Sequence, residues 1–187
     1  LGASLRRDGS SRFGPNNRWG NFPSFSVGWI ISDEAFMEKL EWLSLLKVRG
    51  SYGIIGNNNI GNYTHYNTVS ANSNAVFGNT IASGSAVTNL GNEDLGWEKT
   101  SQLDIGIDIS FLNNRINFTY DYYRKITSDL LYSLPVPRES GFSNLMGNVG
   151  KLKFWGHEFS VSSHNLVGAF KWNTNFNISF SDNRVLE

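Results

Sequence analysis

The side chains of this chain best suited to proton transfer are His65, His157 and His164 and four carboxylates, Asp104, Asp108, Asp121 and Glu158. Hydrolytic catalysis needs a nucleophile, a base and an orienting group that converge. His65 falls in a long Asn- and Gly-rich stretch, His157 on the apolar side of an alternating run and His164 at a short connection. A fold built from these runs keeps the three apart, and their spacing matches no zinc motif. Paired carboxylates suit glycoside hydrolysis. Here Lys47, Arg49, Arg115 and Lys171 recur on polar positions of neighbouring runs, so ion pairs along a wet wall are the expected use of these acids. Asn92, Glu93 and Asp94 gather oxygens without the regular acidic alternation of a calcium loop. Gly56 and Gly61 are followed by no helix that would make a phosphate cradle. No enzyme, cofactor or metal site is therefore expected. Trp19, Tyr63, His65 and Tyr66 remain as candidate contacts in the long connections, because exposed aromatic groups stack on sugars and anchor interfaces.

The composition points the same way. Among 187 residues the formal charge balances to zero, which leaves no bulk field to attract nucleic acid or an anionic membrane surface. Charged residues make up 17%, below the usual share of a soluble domain, and aromatics 14%. Cysteine is absent, so disulfides, thiolate metal sites and cysteine nucleophiles are excluded. No run approaches the roughly 18 apolar residues of a membrane helix. The chain starts at Leu1 in alternation with Gly2, Ala3, Ser4 and Leu5, as if inside a strand, and is read as an internal piece.

The elements that position these residues are β-strands. Leu103, Ile105, Ile107, Ile109 and Phe111 alternate with Asp104, Gly106, Asp108 and Ser110. After Asn113-Asn114 the pattern resumes with Ile116, Phe118, Tyr120 and Tyr122 against Asn117, Thr119, Asp121 and Tyr123. Period two is the signature of a strand with one apolar and one polar face. Seven strands are predicted by this criterion: Leu1 to Arg7, Phe22 to Ile31, Leu45 to Tyr52, Lys99 to Phe111, Arg115 to Lys125, Lys153 to Ser163 and Phe170 to Phe180.

Their connections alternate in length. Asp8 to Asn21, Gly53 to Trp97 and Ile126 to Lys151 are long, whereas those near Asn113 and from His164 to Gly168 are tight. Ser32 to Leu43 is predicted to be a compact helical segment with Ser32 as its cap and Asp33 and Glu34 in its first turn. In an up-and-down meander all long connections then leave one end, as in outer-membrane barrels. Several runs also reach the roughly 9–11 residues that a tilted strand needs to cross a bilayer. Trp29 and Trp172 are assigned to an aromatic girdle at the short-turn end, and Tyr120, Tyr122 and Trp155 to one at the long-loop end. Ala71 to Thr88 is low in complexity and expected to be mobile unless a partner covers it.

An ordered set of short motifs carries a resemblance. They are Arg7-Asp8-Gly9-Ser10-Ser11-Arg12-Phe13-Gly14, Asn17-Arg18-Trp19-Gly20, Phe22-Pro23-Ser24 and Val27-Gly28-Trp29, then Ser32-Asp33-Glu34 with Phe36-Met37. Lys47-Val48-Arg49-Gly50-Ser51-Tyr52-Gly53, Gly56-Asn57, Ile60-Gly61-Asn62-Tyr63, Leu95-Gly96-Trp97-Glu98-Lys99-Thr100 and Asn148-Val149-Gly150 follow in order. Together they resemble the SusC/RagA type of TonB-linked outer-membrane transporter of Bacteroidetes, through most of the chain. The resemblance implies an all-β fold in which residues 1–187 form an antiparallel meander, part of a transmembrane barrel of about 22 strands. It implies an outer-membrane location, import of oligosaccharides or peptides, a SusD-type surface lipoprotein as lid and energy from the TonB complex through a region N-terminal to this segment. No plug is expected within residues 1–187. Arg7, Arg12 and Arg18 are spaced to pair with carboxylates or acidic loop groups near the rim, with lipid head groups or ligand as the alternative partners, and loop structure is the favoured use. Trp97 and Glu98 are expected to be structural anchors.

A different class competes: a soluble β-sandwich that binds carbohydrate. It has the same alternation, but a second sheet would cover the apolar face, and Greek-key crossings give no reason to sort long loops to one end.

Overall fold

The computed structural model describes residues 1–186. Seven antiparallel strands form one sheet in strictly sequential order: β1 (Gly2–Gly9), β2 (Trp19–Ile30), β3 (Leu43–Asn57), β8 (Glu98–Phe111), β9 (Ile116–Ser128), β12 (Lys151–Val167) and β13 (Lys171–Val185). All seven predicted strands are present, each extended at one or both ends. The Asn-rich β8–β9 turn forms because Asn113 and Asn114 tolerate left-handed backbone (φ 54° and 62°). Leu112 is drawn into the same region at φ 53°, and the Arg115 amide closes the turn on the Phe111 carbonyl at 3.0 Å.

Register decides which residues share a face, since directly opposed residues of an antiparallel pair lie on the same side. Ile107 is opposed by Val48 and Tyr120, and Val48 by Trp29. Tyr120 is opposed by Phe159, and Phe159 by Ile178. The neighbouring row runs Phe118, Ile109 and Leu46 on one side and Val161 and Phe176 on the other. One face is thus apolar from β2 to β13. Phe25, Val27, Trp29, Phe176 and Phe180 stand exposed on it, and among the described residues no second sheet packs there. The opposite face carries Ser24, Ser51, Asp104, Asp121, Glu158 and Ser179.

Three connections leave the β1–β2, β3–β8 and β9–β12 end. The first is irregular. The second contains a folded ribbon in which β4 (Thr68–Ser70) pairs with β7 (Ala86–Asn89) and β5 (Ala75–Phe77) with β6 (Thr80–Ala82). The third is a hairpin, β10 (Leu131–Pro135) with β11 (Asn144–Asn148). Within the Ala71 to Thr88 stretch, Ala75–Phe77 pairs with Thr80–Ala82, and Ala86 and Val87 pair with Ser70 and Val69; Val69, Val76, Phe77 and Ile81 are exposed.

The connection between β2 and β3 departs from expectation. Only Ile31–Asp33 is helical, as a single 3-10 turn. A chain of turns follows, with Met37 N–H donating to Glu34, Leu40 to Met37 and Leu43 to Leu40. Ser32 does not cap a helix: its hydroxyl donates to the neighbouring Asp33 carboxylate at 3.4 Å, while the Trp29 indole N–H donates to Glu34 at 2.8 Å. A span this short favours tight i to i+3 closure over a cooperative helix. Tyr120 and Tyr122 also lie mid-strand, opposite Ile107 and Ile105, rather than at the rim.

Candidate functional site: the polar wall and the outer loop junction

The polar face is a ladder of neutral hydrogen bonds interrupted by one ion cluster. Thr100 and Thr127 hydroxyls meet at 2.9 Å, Ser110 donates to Asn117 at 2.7 Å, and Ser160 donates to Asn177 at 2.6 Å. Arg49 on β3 donates from Nε to Asp108 on β8 at 3.1 Å and from Nη2 to Asp121 on β9 at 2.8 Å. The guanidinium reaches Asp121 by crossing β8 at Gly106, which stands opposite both Arg49 and Asp121. A Cβ there would sit 2.5 Å from an Asp121 carboxylate oxygen and 2.6 Å from Arg49 Cζ. The missing side chain is what lets one arginine bridge three strands.

Other expected pairs take different partners. Asp104 receives hydrogen bonds from Ser51 at 3.3 Å and Gln102 at 2.9 Å. Arg115 donates to the carbonyls of His164 and Asn165, at the short-turn end. The cluster presents fixed charge and hydrogen-bonding groups on this face, with both carboxylates engaged by Arg49.

The buried apolar residues lie elsewhere, where the long connections meet. Phe13, Phe22, Ile60, Leu95 and Trp97 form the buried cluster, with Ile54, Leu131 and Met146 packed on it. Phe13 and Phe22 meet Trp97 with ring centroids 5.3 Å away in each case. Pairing between β2 and β3 stops at Ser24 and Gly53, and the cluster fills the opening beyond. Polar side chains tie the three connections together. The Trp97 indole donates to the Arg18 carbonyl at 3.2 Å. Asn92 donates to the Met146 carbonyl at 3.0 Å, and Asn17 to the Asp94 carbonyl at 2.9 Å. Asn148 accepts from the Gly96 amide at 2.8 Å and donates to the Gly96 and Asp129 carbonyls. Glu98 accepts from Asn57 and from the Leu131 amide, which makes it a clamp between the second and third connections.

Arginines of this rim differ from the expectation. Arg12 donates to the Asn58 carbonyl at 3.1 Å and the Asn62 side chain at 3.2 Å, both neutral. Arg7 lies over the Trp19 ring at 5.0 Å. It is Arg6 that pairs with Asp8, at 2.7 Å. Arg18 serves through its carbonyl, which also accepts from Ser10 N–H.

The candidate contacts separate into two groups. Tyr63, 67% exposed with φ 62°, and Tyr66, 48% exposed, stand on the second connection. Trp19, 62% exposed, belongs to β2 itself and lines a cleft of about 470 Å³ with Asn17, Asp94, Trp97, Lys99 and Asn148. His65 is 3% exposed and does not belong with them. Its Nδ1 lies 3.0 Å from the Arg12 carbonyl, so this nitrogen carries the hydrogen, and the ring packs on Tyr66 at 3.9 Å. Sequence reasoning missed Asn58 and assigned no strapping role to Asn92, taken only as part of an oxygen cluster, or to Asn148, taken only as a motif residue; their amides strap the loops. Only the tertiary partner distinguishes such asparagines from turn residues.

A sequential antiparallel sheet, apolar on one face and polar on the other, with its two longest connections, β3–β8 and β9–β12, at one end, defines a wall segment of a β-barrel. The family model described as TonB dependent receptor-like, beta-barrel, matches residues 1–185, and the chain belongs to this family. It is similar to TonB-dependent receptor P39 of Formosa agariphila, 46% identical over 99% of this chain and 18% of that protein. It is also similar to TonB-dependent receptor SusC of Bacteroides thetaiotaomicron, 39% identical over 97% of this chain and 19% of that one. Among solved structures, the RagAB peptide importer in its closed-closed state superposes with a TM-score of 0.87 at 34% identity, over 98% of this chain and 20% of that chain. The chain thus spans about a fifth of the length of these relatives.

Proposed function

We propose that this chain is a wall segment of an outer-membrane, TonB-dependent active importer of oligosaccharides or peptides. Its apolar face lies in lipid, its polar face lines the lumen, and its three long connections stand outside the cell. The observation that carries this reading is the apolar face that runs across neighbouring strands and that no layer covers among the described residues. The Arg49 cluster and the Ser/Asn/Thr ladder then form part of a wet inner wall, next to a plug supplied by another part of the protein. Tyr63, Tyr66 and Trp19 are the proposed outer contacts with substrate or with a SusD-like lipoprotein lid. His65 supports them as a strut between the first and second connections. TonB would act on the N-terminal region of the whole receptor. The peptide importer among the structural neighbours favours peptides as the first substrates to test, with oligosaccharides beside them.

The test uses the full-length receptor in its native host. Uptake of fluorescent peptide and oligosaccharide pools is compared in wild-type, receptor-deleted and TonB-deleted cells. Receptor- and TonB-dependent uptake of either pool is the expected result. Uptake of both pools unchanged by either deletion would refute the importer reading.

A further inference from the structure

Cations on the outward, apolar face are confined to one end of the sheet. Arg7 extends the alternation of Ala3 and Leu5 on β1, and Lys99 that of Leu103 and Ile105 on β8. Arg124 on β9 is opposed by Leu103 and Trp155. Lys153 on β12 is opposed by Ile126 and Arg184, and Lys151 by Ser128. Every one of them sits at the long-connection end, immediately above the apolar rows. At the opposite end the same face shows Trp29, Phe111 and Trp172.

Two features make this band unusual. Lys153 and Arg184 stand directly opposite each other, an arrangement of like charges that is unfavourable without an anion between them. Among the described residues none of these cations has an ion-pair partner within 4.0 Å, and the strand positions of this face hold one carboxylate there, Asp182 opposite Trp155. On the inner face, by contrast, Asp104, Asp108, Asp121 and Glu158 share the wall with Lys47, Arg49 and Lys125. The segregation follows the face, not the local sequence: Arg124 and Lys125 are neighbours in the chain and point to opposite sides. Lys153 also lies 4.5 Å over the Trp155 ring, which holds its ammonium at the top of the apolar zone.

We propose that this band docks the phosphate-bearing headgroup of an anionic lipid of the outer leaflet, with the acyl chains lying along Ile105, Phe159 and Ile178 below. The inference rests on the lipid-facing reading of the apolar face. The charge complementarity is that of an amphiphile: among the described residues a continuous apolar surface ends in a row of cations without ion-pair partners, at one end of the sheet. Lysines and arginines with flexible stems suit phosphate as point charges and forked donors.

The experiment is native mass spectrometry of the full-length receptor with added bisphosphorylated lipid A or with phosphatidylethanolamine. The variants are R124Q/K151Q/K153Q, the milder R124Q/K153Q, and an inner-face control of equal charge change, K47Q/K125Q/K171Q. Heat-modifiable migration verifies assembly of each. The expected result is retained lipid A adducts on wild type and control, at least tenfold fewer on the outward triple and an intermediate loss on the double variant. Excess inorganic phosphate should leave the adducts in place, since the acyl chains contribute to binding. No adducts on wild type, equal retention by the outward variants, or equal loss in the control overturns the proposal. A nitroxide at position 107 reports the facing separately: oxygen-accessible and nickel-chelate-protected means lipid. If that result holds and the adducts do not discriminate, only the lipid-docking inference falls. If it reverses, the facing falls and takes the inference with it.

Discussion

Gly106 makes the room on which the ion cluster of the polar wall depends. Its missing Cβ lets the Arg49 guanidinium cross β8 and reach Asp121 at 2.8 Å, while Nε holds Asp108 at 3.1 Å. Asp108→Asn leaves the Asp121 contact, so its cost in the intact barrel is expected to stay within about 1 kcal/mol. Gly106→Val forces the cluster apart and overpacks the wall, with an expected loss of about 1–3 kcal/mol. Unfolding of both variants in detergent or lipid should place Gly106→Val clearly below Asp108→Asn; the reverse order would show that the triad, not the close approach, holds this site. At the outer junction Phe13 is fully buried against Trp97, and Phe13→Ala is expected to cost about 3–5 kcal/mol locally. Because that cluster lies beyond the paired strands, limited proteolysis should cut the first and second connections faster while heat-modifiable migration of the barrel persists. Loss of the folded barrel itself would mean that the cluster supports the sheet as well as the loops.

The strands and the ribbon make separate predictions at the level of elements. Ile107 is opposed by Val48 and Tyr120 in the middle of the apolar face. Ile107→Arg in the full barrel is expected to cost about 2–4 kcal/mol at the bilayer midplane. Equal tolerance of Ile107→Arg and Asp108→Asn would undo the facing assignment. The Thr68–Asn89 ribbon pairs with itself, and its ends are held together by Gly91 N–H donating to the Asn67 side chain at 2.9 Å. Gly91 itself has no room for a Cβ, which would clash with the Tyr66 and Asn67 backbone. Joining Asn67 to Leu90 should therefore leave assembly intact and weaken capture of substrate or of a lipoprotein lid. Pull-down of such a lid together with migration on gels checks both halves, and failure to assemble would give the ribbon a structural role.

For the molecule as a whole, the decisive fact is how little of the sheet is covered. Its apolar face is open, and β1 and β13 each present one unpaired edge. Isolated strand edges of this kind template aggregation. The 187-residue chain alone is expected to precipitate from buffer and to show β-type circular dichroism only in detergent. A soluble, cooperatively melting monomer in plain buffer would contradict the membrane-facing surface.

Strand number, order and face were legible in the sequence because they rest on local quantities. Period two marks each strand, the Asn-rich turn links β8 to β9, and the two longest connections leave one end, whereas the β2–β3 connection at the other end is longer than the β1–β2 one and breaks the expected alternation. The resemblance motifs were legible too, and in the structure many of them build the junction beneath the outer loops. The β2–β3 connection was misread because Ser32, Asp33 and Glu34 look like a helix start, whereas its few residues close into successive tight turns. What the tertiary structure alone decided was the partner of each loop side chain. His65 meets Arg12 across 53 residues and Asn92 meets Met146 across 54, so an imidazole that looked available is a buried strut. Register decided the rest. A slip of one residue would send Arg124 inward and Lys125 outward, and the cation band exists because hydrogen bonding between distant strands sets that choice.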